Sequence, residues 1–252
     1  MTLSKAKLMS RLNRPFKYYE SIGSTNDVAK AWLETGAPDR AAVVANEQTH
    51  GRGRKGRAWQ TPPDVALALS VILRPQRQLV PRVNFLGALA VCDLAAEAGC
   101  SMIEIKWPND VQVHGKKIAG ILPEVVWEGP EALGVVLGIG LNIRIDFSRT
   151  ELADYATSLE SIVNRRLDRA DLLQSLLRHV DGWYSHINEE ILFRSWKSRL
   201  NVLGKRIEVE DAVGRAVDAL PDGSLLLRDD FGALHTVEAG DVFVVKEGGA
   251  GA

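Results

Sequence analysis

The sequence is poor in cysteine, in aromatic residues and in any excess of charge. Only Cys92 and Cys100 occur, in and at the end of an apolar helical stretch. With nothing else to pair with, they read as small core hydrophobes in a reducing compartment, not as a disulfide framework. Lys and Arg number 31 against 32 Asp and Glu, for a formal net charge of −1. That near-neutrality excludes a general attraction to nucleic acid or to an anionic membrane, so electrostatic recognition must be local. No apolar run approaches the roughly eighteen residues of a membrane span, and no signal-peptide core follows the start. The expected location is cytoplasmic. Residues 1 to 17 carry Lys5, Lys7, Arg11, Arg14 and Lys17 without an acid and read as a loosely ordered leader. The five histidines are scattered, and nothing has metal-ligand spacing, so no metal cage is expected in the protein itself.

What is present suits a globular chain of one sizeable domain and a small appendage: 252 residues, 46% hydrophobic and 25% charged. "FKYYE" (16–20) is strand-like, and Ser24 or Thr25 can cap a helix in which Val28, Ala29, Trp32 and Leu33 recur at helical spacing until Gly36. Strands are predicted at 41–48, 65–73, 103–107, 116–126 and 134–143, and helices at 84–99, 168–187 and 189–200. His114-Gly115 looks like a hairpin turn in the link between the strands at 103–107 and 116–126. After Asn201 the pattern changes to short alternating strands separated by turns such as Pro221-Asp222-Gly223. This predicts an α+β body over 1–200 and a small all-β barrel over 201–247, with a disordered tail at 248–252.

Four motifs carry polar chemistry. "GRGRKGRAW" (51–59) sets Arg52, Arg54, Lys55 and Arg57 among Gly51, Gly53 and Gly56 and closes on Trp59. Glycines let backbone N–H groups turn toward an anion, and guanidinium forks match phosphate oxygens. Four like charges should repel, leaving the loop mobile until an anion orders it. Taken alone, the run reads equally as a solvated or RNA-type basic loop. "KWPND" (106–110) places Lys106, Asn109 and Asp110 around a proline-stiffened turn at a strand end, which alone could be an ordinary turn. "GKKIAGIL" (115–122) offers Lys117 and Gly120, and "GIGLN" (138–142) places glycines where a ligand or backbone could pass close to a strand.

In this order, and with "STN" (24–26) upstream, the four motifs closely resemble those of the biotin–protein ligases, over about Phe16 to Val245. The resemblance implies a class II synthetase-like catalytic domain and an SH3-like C-terminal barrel. It also implies formation of biotinyl-5′-AMP from biotin and ATP, then transfer to a lysine of a biotin carboxyl carrier domain. By that resemblance Ser24, Thr25, Asn26, Gln48, Gly51, Arg52 and Gly120 would surround biotin. Lys117 would lie between the biotin carboxylate and the α-phosphate. Arg54, Lys55, Arg57, Trp59, Lys106, Asn109 and Asn142 would surround the adenylate. Asp110 would pair with a loop arginine and orient the incoming amine. Mg²⁺ would arrive with ATP.

Lys55 stands where the family commonly has arginine, which keeps the charge and loses the fork. Fewer than twenty residues precede the first strand, too few for a DNA-binding fold, so an enzyme without repressor activity is expected. Two rivals stay open: a lipoate–protein ligase, and a nucleic-acid-binding module using the loop and barrel. An exposed sheet edge leaves room for a homodimer.

Overall fold

A seven-stranded mixed sheet and a five-stranded antiparallel sheet follow one another along the chain. The computed structural model describes residues 3–245, so the tail at 248–252 lies outside the described residues. Helix α1 (Lys5–Met9) precedes strand β1 (Phe16–Ile22), helix α2 (Thr25–Glu34), and strands β2 (Ala42–Gln48) and β3 (Ala66–Leu73). Helix α3 (Arg82–Glu97) leads to β4 (Ile103–Lys106), β5 (Asp110–Val113), β6 (Lys116–Glu128) and β7 (Glu131–Asn142). Helices α4 (Leu159–Val163), α5 (Arg169–Ser185) and α6 (Glu190–Ser198) follow. The second sheet is built from β8 (Arg206–Val209), β9 (Ala212–Ala219), β10 (Leu225–Arg228), β11 (Leu234–Val237) and β12 (Val242–Val244). Strand orders are β1-β2-β3-β7-β6-β5-β4 and β11-β10-β9-β8-β12. Mixed sheet and helices bear out the α+β expectation.

Strand β3 explains how the first sheet is covered. Leu67, Leu69, Val71 and Leu73 join the main core with Phe85, Leu86 and Leu89 of α3. Ile72, pointing the other way, packs with Ala29 and Leu33 of α2. A strand covered on both faces needs no polar alternation, which is why "ALALSVIL" is almost wholly apolar. Helix α3 is apolar nearly all round because α5 and α6 cover the side that the sheet does not. Cys92 and Cys100 are free and buried within this core, and burial pushes the Cys92 thiol up to about 12. No helix among the described residues is long and apolar enough to cross a membrane.

Two local expectations change. The basic leader is not loose: Leu3 and Leu8 are buried, and Lys7 Nζ lies 2.5 Å from Asp168 Oδ2. Arg11 pairs with Asp171 and Arg14 with Asp181. The acids missing from the leader thus stand at and along α5. The link between β4 and β6 contains a strand of its own, β5, so His114-Gly115 turns β5 into β6. Both turn residues have positive φ, 51° and 73°.

The second sheet is tied to the turn between β4 and β5. Trp107, almost fully buried, donates from Nε1 to the Gly223 carbonyl at 2.8 Å. Backbone bonds from Ile105 N to Arg199 O and from Asn201 N to Ile105 O, at 2.8 and 3.0 Å, fix the approach to that sheet. At the opposite end of β3 a fully buried guanidinium, Arg169, takes over the backbone's role. It donates twice to the Ala66 carbonyl at 2.7 and 3.0 Å, and to Asn46 Oδ1 and Asp64 Oδ1 at 2.7 and 3.0 Å. Replacing Arg169 by Leu strips the buried Ala66 carbonyl of both side-chain donors, and should cost on the order of 2–3 kcal/mol in urea unfolding. An unchanged midpoint and slope would show that the clamp carries no stability.

Candidate active site

The site begins as a trough of small residues. Strand register aligns Ala68 of β3, Gly140 of β7 and Gly120 of β6 in one row, and Ser70, Gly138 and Leu122 in the next. On this face of the sheet a Cβ at Gly138 would lie 2.5 Å from Asn26 Oδ1, and one at Gly140 2.3 Å from Trp59 Cε2. The spaces read from the sequence as room for a ligand or backbone are therefore taken by two of the chain's own side chains.

Helix α2 starts above this trough. Ser24 sits at the N-cap position with extended backbone but makes no capping bond, and its side chain borders the cavity. Ser70 Oγ lies 2.8 Å from Thr25 Oγ1 and 2.6 Å from Asn26 Oδ1. Thr25 donates to Gln48 Oε1 through its backbone N and its hydroxyl, at 2.8 and 3.0 Å. Thr25 thus spends its hydrogen-bonding capacity on orienting Gln48, whose amide nitrogen reaches Thr61 Oγ1 at 3.3 Å.

The Arg/Gly loop leaves β2 as a closed hairpin, with Trp59 N bonded to Gly51 O at 2.8 Å and Gly53 N to Arg57 O at 2.7 Å. Its charges are largely compensated, contrary to the expectation of four repelling cations. Arg52 forms a fork with Asp27 at 2.7 and 2.5 Å and reaches Glu124 at 3.4 Å. Arg57 meets Asp241 at 2.6 Å, and Lys55 meets Glu210 at 3.2 Å and Asp241 at 3.8 Å. Each exposed pair contributes only about 0.2–1 kcal/mol, so the loop is held without being locked. Among the described residues Arg54 is the loop cation with no ion pair. Lys55 has φ 55° and ψ 27°, a left-handed conformation that costs a side-chain-bearing residue roughly 1–2 kcal/mol.

These contacts move the carboxylates. Hydrogen bonds from Arg52, with the charges of Arg52 and Lys30, hold Asp27 below the usual carboxylate range. Burial works to raise Glu124, but hydrogen bonds from Lys30 and Asn26 outweigh it and the group titrates low. Asp241 behaves alike, burial being outweighed by its bond from Arg57 and by the charges of Arg57, Lys55 and Arg54.

Lys117 and Asp110 meet at the other side of the trough, Nζ to Oδ1 at 2.7 Å, about a third and a quarter exposed. Asp110 therefore pairs with Lys117 and not with a loop arginine: strands β5 and β6 are neighbours, while every loop cation except Arg54 has a carboxylate elsewhere. The Lys117 ammonium also lies 5.2 Å from the Trp59 ring centroid, a cation–π contact. Asn109 donates to the Ile121 carbonyl at 2.7 Å, holding the turn in place. Asn142 is buried, donating to the Lys117 and Thr157 carbonyls at 3.4 and 3.2 Å. It does not line the cavity; it braces the start of β6.

A cavity of about 240 Å³ brings the motifs together: it is lined by Ser24, Thr25, Asn26 and Gln48, by Arg52, Arg54, Arg57 and Trp59, and by Lys106, Asn109, Asp110, Lys117 and Gly120. Gly51 is packed beneath Trp59, where a Cβ would lie 2.4 Å from its carbonyl oxygen, and Lys55 points outward. Sequence reasoning missed Ser70, Glu124, Asp27, Glu210 and Asp241. A lone serine in "ALALSVIL" was a legible signal; the carboxylates matter only through contacts between distant segments.

The Biotin/lipoate A/B protein ligase family matches residues 18–142. A biotin–[acetyl-CoA-carboxylase] ligase of Mycobacterium tuberculosis is 35% identical over 87% of this chain and 85% of its own length. The chain belongs to this ligase family. A bifunctional ligase/repressor of Bacillus subtilis is 38% identical over 64% of the chain, which spans about 50% of that relative's length. The fold is shared with a biotin protein ligase from Aquifex aeolicus in complex with biotin and ATP, at a TM-score of 0.74 and 24% identity, over 92% of this chain and 98% of that one.

Gly140→Ala should destabilise the protein by about 1–3 kcal/mol, as overpacking does, because the indole cannot share the space. In a Trp59→Ala background the same substitution should cost far less. Equal costs in the two backgrounds, measured by urea unfolding, would place the strain elsewhere.

Proposed function

We propose that the protein is a biotin–protein ligase, which activates biotin with ATP as biotinyl-5′-AMP and passes the biotinyl group to a lysine of a carboxyl carrier domain. The observation that carries this reading is the Lys117–Asp110 pair at 2.7 Å, lining a cavity that Arg54 and the neutral polar groups Ser24, Thr25, Asn26 and Gln48 also line. Such a cavity suits a ligand with an uncharged, hydrogen-bonding head and an anionic tail. In this reading Ser24 Oγ and the Gln48 amide nitrogen would meet the ureido ring, and Lys117 and Arg54 the carboxylate and phosphate.

Two anions must meet for adenylation: the biotin carboxylate attacks the α-phosphate of ATP, supplied with its Mg²⁺, and pyrophosphate leaves. Lys117 exchanges Asp110 for these anions and stabilises the charge that builds between them. Arg54 then covers the mixed anhydride and limits its hydrolysis. In the second step the acceptor amine attacks the acyl carbon and AMP departs. A free lysine starts about 3.4 units above neutral pH, so baring its amine costs about 4.6 kcal/mol. Asp110, released by Lys117, is positioned to receive or orient that ammonium. The second sheet supplies Asp241, Val242 and Phe243 to the cavity rim, which supports a barrel that helps to enclose the nucleotide.

Exchange of pyrophosphate into ATP should require biotin and ignore lipoate; exchange with lipoate alone would overturn the assignment. Lys117→Met should lower that exchange by about 100-fold or more, the scale for removing one oxyanion-type donor. Arg54→Gly should instead release adenylate, seen as labelling of bystander lysines. Asp110→Asn should slow transfer from preformed adenylate, and normal transfer together with normal adenylation would remove it from the mechanism.

A further inference from the structure

We infer that the second sheet is the latch of the Arg/Gly loop, with Asp241 and Glu210 acting as positioning residues that hold Lys55 and Arg57 and so leave Arg54 to face the ligand. The inference rests on the ligase reading for its effect on adenylate, but not for the latch itself.

Three independent features converge on it. First, the cations are divided by partner. Arg52 is held by Asp27 and Glu124 at the root of the loop, while Arg57 and Lys55 reach across to Asp241 and Glu210 of the second sheet. Only Arg54 is left without an ion pair among the described residues, and it lines the cavity. Second, Lys55 holds a left-handed backbone conformation that favours glycine or asparagine. A lysine is accommodated there with its ammonium on Glu210, so the side chain's contact offsets a backbone cost that the neighbouring Gly56 avoids. Third, Asp241 itself borders the cavity beside Val242 and Phe243. The loop therefore bridges the two sheets over the cavity, and the second sheet sets how firmly it is closed. Since every latch contact is exposed, the pairs can part to admit substrate and re-form over the intermediate.

The test uses the full chain carrying Asp241→Asn and Glu210→Gln, which leaves the loop's own sequence intact. In the empty protein, tryptic cleavage after Arg54, Lys55 and Arg57 should be roughly 3- to 10-fold faster than in the parent at low salt, the scale set by two exposed ion pairs. Cleavage elsewhere should be unchanged. Added salt should speed loop cleavage in the parent and have little effect on the double variant. With biotin and ATP, release of adenylate should rise by a similar factor. Reversing one pair, Arg57→Asp with Asp241→Arg, should restore slow loop cleavage that either single change loses. Loop cleavage equal to the parent's at low salt would overturn the latch. A parent that makes no adenylate would overturn the ligase reading, and the cleavage comparison would still decide the latch.

Discussion

Trp59 rests on the sheet where residue 140 has no side chain, and the geometry of the site depends on that contact. Gly140 and its register neighbours Ala68 and Gly120 make a row too shallow to support anything but a flat ring. An indole placed there pins the end of the Arg/Gly loop, and the Trp59 N to Gly51 O bond closes the loop's start onto its finish. The seven residues between have one direction to go, out over the cavity. Lys117 then finds a ring face beside it as well as a carboxylate, and its ammonium is held from two sides without leaving reach of the trough. Small residues in a strand, costly on their own, are offset by a large side chain seated in the gap.

A cluster of four cations on a nearly neutral protein has the same local logic. Asp27, Glu124, Glu210 and Asp241 come from four separate parts of the chain and converge on one loop. Balanced in this way, the loop adds little to the long-range field and does not turn the surface into a nucleic-acid trap. Among the described residues the loop cation left without an ion pair, Arg54, lines the cavity. Affinity for an anion can therefore be high at one point without being high everywhere.

Much of this was written in the chain, at the level where local pattern is sufficient. Strand β3, helix α3 and helix α2 follow from apolar periodicity, and the four motifs converge on one cavity because they lie at strand ends that the sheet gathers together. Strand β5 was missed because four residues between two turns carry no period long enough to read. Helix α1 was hidden by charge: five basic residues look like a solvated leader until Asp168, Asp171 and Asp181 are known to face them. Thr25 and Gln48 are assigned to biotin by the family resemblance, which says nothing of their contact with each other. The structure shows them first satisfying each other, with Ser70 behind. Asn142 is assigned to the nucleotide by the same resemblance, and the fold directs its amide onto the Lys117 and Thr157 carbonyls.

The link between the two sheets explains why chemistry should depend on residues a hundred positions away. Trp107, in the turn that presents Asp110, donates to Gly223 of the second sheet, while Asp241 of that sheet receives Arg57 of the loop. The cavity wall and its cover are therefore braced against one body. A shift of the second sheet would move Asp110 and Arg57 together and keep the distance between acid and lid; a shift of the loop alone would break the Asp241 contact. The first motion would keep the cavity wall and its cover in register and the second would release the cover, so the fold joins a rigid wall to a more loosely held loop.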